Sequence, residues 1–363
     1  MRRMGKTLRT LLTGACGAAL ALAGPAAVPA RAATPAPGTA WELKNTGTDA
    51  RFRGLAAVSR ATAWAAGTKG TVLLTRDGGT TWRDVSPPGA RGLEFRDVEA
   101  FDARDAVVLA IGEGEASRIL QDGGTTWTET FRNTDPKAFY DCVTFFDRRH
   151  GIALGDPVDG RFRLLETHDG GRAWRPLPTA GLPAALSGEA AFAASGQCVV
   201  SSGPRDAWIA TGGAAVSRVL HSTDRGRTWT ATEAPLPAGD PARGVFGLAF
   251  RDRAHGLAVG GDYRAGQPSP RAAAATGDGG RAWRTAALPP AAYRSGVAWF
   301  PHSRTTALAV GPTGSELTTD GGRTWRTFDT GSYDTVDCAP AAAPGAGCWA
   351  AGEKGRIARL VAP

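Results

Sequence analysis

An Asp-to-Trp pattern repeated at near-regular spacing limits what this chain can fold into more than any other feature. Its first copy lies in Thr75-Arg76-Asp77-Gly78-Gly79-Thr80-Thr81-Trp82. Five more run from Asp122 to Trp127, Asp169 to Trp174, Asp224 to Trp229, Asp278 to Trp283 and Asp320 to Trp325. Successive tryptophans stand 45, 47, 55, 54 and 42 residues apart. A period of that length is one four-stranded antiparallel sheet, the blade of a β-propeller. Asp-Gly-Gly between two strands reads as a hairpin turn, in which glycine supplies positive φ and the carboxylate accepts from the turn's own N–H groups. The Trp then packs back over the hairpin, covering roughly 150–250 Å². Each copy carries one carboxylate, so turn capping is preferred to an array of calcium sites.

A second element precedes each copy: a short apolar strand ending in glycine. The copies end at Gly67, Gly112, Gly155, Gly212, Gly260 and Gly311. A seventh, Trp349-Ala350-Ala351-Gly352, has no Asp-to-Trp pattern after it. Gly38-Thr39-Ala40-Trp41-Glu42-Leu43 reads as the eroded end of the missing pattern, and Trp41 stands 41 residues before Trp82. The segment around 39–45 is therefore expected to supply the outermost strand of the last blade and close the ring. The expected fold is all-β: a single seven-bladed propeller of four-stranded antiparallel blades over 34–363, with no exposed sheet edge.

The Asp-to-Trp pattern resembles the Asp-box, or BNR repeat, of sialidases and other propellers. The blade formula Val245-Phe246-Gly247-Leu248-Ala249-Phe250 through His255-Gly256-Leu257-Ala258-Val259-Gly260, with Thr318 to Trp325, resembles that of the photosystem II stability/assembly factor family. That resemblance covers most of 34–363. It implies an exported binding scaffold of the assembly-factor kind. The composition, rich in Ala, Arg and Gly and poor in Lys, is that of a GC-rich bacterial genome.

Residues 1–33 read as a signal peptide: Arg2, Arg3, Lys6 and Arg9, then the apolar run Leu11 to Val28, then Ala30-Arg31-Ala32 at the cleavage positions. Lipidation at Cys16 is the alternative to ordinary cleavage. Removing the five positive charges of this segment takes the net charge from +8 to +3, so the apparent polycation is mostly an export tag. The remaining arginines form no stripe, and nucleic-acid binding is set aside. No further apolar run is long enough to span a membrane. Export favours disulfides among the four remaining cysteines. Cys338 and Cys348 flank a hairpin in the last blade and are expected to pair. Cys142 and Cys198 lie on innermost strands of neighbouring blades and either bridge them or stay as buried thiols. No metal site and no cofactor are expected.

With strands lettered A to D from the channel outward, the B–C loops and D–A connections share one face. Tyr140, Asp141, Asp156, Glu189, Asp262, Tyr263, Arg264, Tyr293, Arg294 and Tyr333 all map there, and loops on a rigid frame commonly carry function. The five histidines map to the other face. The expected role is a secreted, non-catalytic scaffold, a monomer that binds an extracellular protein or glycan. The first alternative is a sialidase-like glycoside hydrolase, for which Asp156, Glu189 and Asp262 offer carboxylates and Arg294 a cation. The chain lacks the Arg-Ile-Pro motif of sialidases. An oxidoreductase is the lesser alternative, since Gly112-Glu113-Gly114 has no helix after it to receive a pyrophosphate.

Overall fold

The computed structural model describes residues 38–361 apart from 125, 265–267 and 344, so the signal-peptide reading and Cys16 lie outside the described residues. Twenty-eight strands form seven four-stranded antiparallel sheets. Strand A of blades 1 to 7 is Phe52–Ala57, Glu94–Ala100, Tyr140–Phe145, Val199–Ser202, Arg243–Phe250, Gly296–Trp299 and Thr335–Cys338. Each strand A touches those of the two neighbouring blades, and blade 7 touches blade 1, so the ring is closed. The closing strand is Ala40–Lys44, paired with Ile357–Val361 so that Trp41 faces Leu360. Trp41 is buried and donates from Nε1 to Ser315 Oγ in blade 6 at 2.9 Å.

The core is distributed between the blades. Seven apolar clusters occupy the seven interfaces between neighbouring sheets. Strand B is consequently buried on both faces; Ala63–Gly67 and Asp206–Ala210 are buried throughout, which is why these strands read as apolar runs. Trp64, Trp208 and Trp349 on strands B are fully buried. Each indole donates to a carbonyl of the next blade, at Asp102, Gly279 and Ser59. The glycine ending strand B has a steric cause. A Cβ on Gly67 would lie 2.2 Å from the Arg51 carbonyl oxygen, and one on Gly260 2.0 Å from that of Gly244. The chain entering strand A passes too close for any side chain.

Five of the six Asp-Gly turns share a hydroxyl brace and an amide bond. In the first, Thr75 Oγ1 donates to Asp77 Oδ1 and accepts from Gly79 N–H, while the Thr81 N–H and hydroxyl donate to the two Asp77 oxygens. These bonds hold the Asp77 carboxyl down at about 2. Asp169, Asp224, Asp278 and Asp320 repeat the brace from a Thr or Ser two residues earlier and the amide bond from the residue four on. The hydroxyl bond recurs only at Asp224 and Asp320, because Ala173 and Ala282 stand at that place in the other two. Asp122 departs from it. Leu120 stands where the bracing hydroxyl belongs, among the described residues Asp122 accepts only the Gly124 N–H, at 2.8 Å, and burial raises its carboxyl. The indoles of Trp174, Trp229 and Trp325 donate back to the turn glycine, whereas Trp127 donates to Val85 of blade 1.

The connection from blade 3 to blade 4 does something the repeat does not announce. Its last residues, 193–197, cross the central channel and are bonded from several blades. Arg96 Nη1 donates to the Ala193 carbonyl at 2.7 Å. Ser195 Oγ donates to the Ser295 carbonyl, and Gln197 bridges the Val297 N–H and the Val336 carbonyl, each at 2.8 Å. Below this plug lies a chamber of about 770 Å³ lined by Asp97, Glu99 and Asp337. Asp97 latches blade 2 to blade 3 by accepting the Val143 N–H at 2.7 Å, and Asp337 latches blade 7 to blade 1 through Ala57 N–H at 2.7 Å. Burial raises all three carboxyls, that of Asp337 to about 7.

Both cysteine pairs are disulfides. Cys142–Cys198 joins blades 3 and 4 across 56 residues, and Cys338–Cys348 joins strands A and B of blade 7 across 10. Two disulfides fit an oxidising compartment, and no helix among the described residues is long and apolar enough to cross a membrane. From the lengths of chain enclosed, Cys142→Ser/Cys198→Ser is expected to cost about 4 kcal/mol and Cys338→Ser/Cys348→Ser about 3 kcal/mol. Urea denaturation of the two double variants reads the order, and a larger loss in the second pair contradicts it. A pH dependence follows from the raised carboxyls. Asp337 binds its proton more tightly folded than unfolded, so its contribution to stability falls as pH climbs from about 4 to about 7 and is level above. Asp77, held low, acts oppositely and is lost only as pH drops from about 4 toward about 2. The urea midpoint is expected to peak near pH 4–5 and decline toward pH 8; a midpoint climbing steadily over that range refutes the assignment.

Candidate functional site

The channel mouth on the B–C/D–A face opens into a cavity of about 520 Å³ above the plug. Its construction is a local irregularity used repeatedly. In strand A of blades 1, 2, 3 and 5 the pairing to strand B slips by one residue, between Phe52 and Gly54, Phe95 and Asp97, Tyr140 and Cys142, and Val245 and Gly247. The skipped residues are Arg53, Arg96, Asp141 and Phe246, and all four line the cavity. A fifth slip, between Gly155 and Pro157 on strand B of blade 3, puts Asp156 there too. A β-bulge re-aims one side chain without ending the ladder. Five of them turn two cations, two carboxyls and an aromatic ring into one space.

The cavity has an acidic side and a basic side. Asp141 is 2% exposed, and its Oδ2 has no hydrogen-bond partner among the described residues. Burial, reinforced by the nearby Asp156 charge, pushes its carboxyl well up. Asp156 accepts the Ala191 N–H at 2.9 Å, and burial raises it to about 6. Opposite, Arg51 grips Asp334 with two bonds of 2.7 and 2.6 Å. Arg53 lies 3.6 Å from the same carboxylate, and Arg96 donates to Glu94 and to the plug. Burial and the Arg96 charge hold Arg53 below its ordinary value. Phe192 and Phe246 stack at 3.9 Å between ring centres, and Tyr293 meets Phe246 edge-on at 4.7 Å.

Of the ten residues expected on this face, Asp141, Asp156, Tyr263 and Tyr293 line the cavity. Tyr263, 52% exposed, stands at its rim, while burial raises the Tyr293 phenol. Asp262 and Arg264 pair with each other, and Asp262 also takes Arg243 at 3.0 Å, which holds its carboxyl low. Glu189 is buried and fully bonded to Arg218, Thr211 and the Leu186 N–H. Arg294 is buried in a two-bond ion pair with Glu316. Tyr140 packs on Phe131 between blades, and Tyr333 packs on Trp41. Glu189, Arg294, Tyr140 and Tyr333 therefore stay outside the cavity, because partners elsewhere in the fold take them. Asp156, Glu189 and Asp262 do not converge on Arg294. The additional lining residues Arg51, Arg53, Arg96, Phe192, Phe246 and Asp334 have one signal in common except Phe192: they sit at the entry of a strand A, where the repeat varies most. No group of three or more His, Cys, Asp or Glu side chains placed to hold a metal occurs among the described residues.

No known family model matches the sequence, and no curated protein does either. Solved structures share the fold. YCF48 bound to a D1 peptide aligns with a TM-score of 0.61 at 16% identity, over 93% of this chain and 99% of that one. YCF48 from Cyanidioschyzon merolae gives 0.64 at 16% identity, over 89% and 99%. The GH74 enzyme of Niastella koreensis gives 0.59 at 13% identity, over 87% of this chain and 53% of that enzyme, so this chain spans about half of it. The chain is a seven-bladed β-propeller similar in fold to YCF48 and to one half of a GH74 hydrolase.

Proposed function

We propose that this protein is a secreted, non-catalytic Asp-box propeller that binds an extracellular protein segment at the channel mouth. The observation that carries the reading is the set of five bulges, which spend ladder regularity to line one cavity with Arg53, Arg96, Asp141, Asp156 and Phe246. Mixed charge over an aromatic base is the chemistry of a peptide or side-chain seat. Other groups a hydrolase could use are tied up in structural pairs, Glu189 with Arg218 and Arg294 with Glu316. A neighbouring structure, YCF48, is seen with a D1 peptide. The leader-like residues 1–33 and the two disulfides support export.

A second reading draws on one feature, the neighbouring carboxyls Asp141 and Asp156 in a cavity, with Asp156 at about 6. Paired carboxyls with raised affinity for protons are what a glycosidase uses as acid and base. Fluorogenic β-glucosides, sialosides and xyloglucan fragments separate the two. The binding reading expects no turnover with any of them, and peptide-array binding that weakens at least about tenfold in Phe246→Ala. Turnover abolished by Asp156→Asn would establish the hydrolase instead.

A further inference from the structure

Two buried side-chain atoms of the cavity have no partner among the described residues, Arg53 Nε and the carboxylate oxygen Oδ2 of Asp141, and the second is an acceptor. Buried polar groups are nearly always partnered, and an unmet acceptor costs its full desolvation. No side-chain bond from Asp141 closes a blade interface, unlike those of Asp97 and Asp337 on the strands A of blades 2 and 7. The bulge between Tyr140 and Cys142 aims it into the cavity, and a second bulge brings Asp156 to the same cavity, where its charge adds to the effect of burial on Asp141. Two of the cavity's three arginines are already engaged. Arg96 is bonded to Glu94 and the Ala193 carbonyl, and Arg51 to Asp334. Arg53 lies 3.6 Å from Asp334, and its Nε has no hydrogen-bond partner among the described residues.

We propose that Asp141 and Asp156 form the seat of a primary ammonium group, presented by a lysine side chain of a bound peptide. The inference rests on the peptide-binding reading above and names the chemistry that the site selects. A cation between the two carboxyls offsets the charge that Asp156 sets against Asp141 and supplies the donor that Asp141 Oδ2 lacks. The seat is nearly closed to solvent, which admits a slim ammonium and disfavours the broad, planar guanidinium of arginine. The stacked Phe192–Phe246 pair and the half-exposed Tyr263 line the way in, and a four-carbon aliphatic stem packs on such rings. Two carboxylates fall short of the six to eight oxygens a calcium ion takes, so the pair suits an organic cation better.

The test uses the full chain and fluorescein-labelled pentapeptides with blocked termini, carrying lysine, Nε-acetyl-lysine or norleucine at the centre, read by fluorescence polarisation. The lysine peptide is expected to bind at least about tenfold more tightly than the other two, and Asp141→Asn to remove that preference. Affinity for lysine rises with pH as the two carboxyls ionise. Asn is close to Asp in shape, and thermal melting confirms that the variant folds; if it does not, Asp156→Asn and the acetylated peptide carry the test. Equal binding of all three peptides leaves peptide binding intact and overturns the ammonium seat. Binding of n-butylamine by calorimetry, lost in Asp141→Asn, with no peptide bound, keeps the seat and removes the peptide reading. Binding of neither probe removes both.

Discussion

Ring closure is the constraint on which everything else in this molecule depends. The apolar core consists of seven separate interfaces, and a sheet with one open flank would expose one of them entirely. Pairing Ala40–Lys44 with Ile357–Val361 completes blade 7 and so lets its two faces meet blades 6 and 1. Trp41 and Trp349 then each tie the seam to a neighbour, through Ser315 and Ser59. The acids of the channel add latches at the same seam and at the blade 2–3 junction, where Asp337 and Asp97 each accept an amide of the next strand A. A closed ring fixes the radial position of every strand A to within what packing allows. That is what makes single-residue irregularities at strand entries usable as binding geometry.

Much of this architecture was legible because the sequence writes it seven times. The period of the tryptophans counts the blades, and the unpaired seventh Gly-ending strand together with Trp41 locates the closing strand. Cysteine placement pointed to the Cys338–Cys348 pair and left Cys142 and Cys198 either bridged or as buried thiols; the structure joins them between neighbouring blades. Periodicity is equally the reason other features were hidden. The Asp122 turn looks like its five counterparts until Leu120 is seen to lack the hydroxyl that braces them. The plug at 193–197 lies in a connection that has no repeated counterpart, so nothing in the pattern distinguishes it from an ordinary loop.

The site was half legible. Topology gathered ten residues on one face, of which Asp141, Asp156, Tyr263 and Tyr293 line the cavity, but a face is not a cavity. Whether Glu189 points to solvent or to Arg218, and Arg294 to a ligand or to Glu316, depends on partners 29 and 22 residues away in sequence. Such choices are made by packing, and alternation of residue types carries no record of them. The bulges left a trace that is visible afterwards: an apolar residue, a variable one, then a small or polar residue before the apolar run, as in Phe52-Arg53-Gly54-Leu55 and Tyr140-Asp141-Cys142-Val143. The variable position is the one that lines the cavity.

Ligand binding at this mouth is the central claim about the molecule. Hydrogen–deuterium exchange of the full chain, with and without saturating lysine peptide, addresses that most directly. Protection is expected at residues 139–141, 191–194 and 244–247, the bulged entries and the top of the plug. Protection confined to the opposite face, at the Asp147–His150 and Asp252–His255 turns, or none at any of these segments, would contradict it.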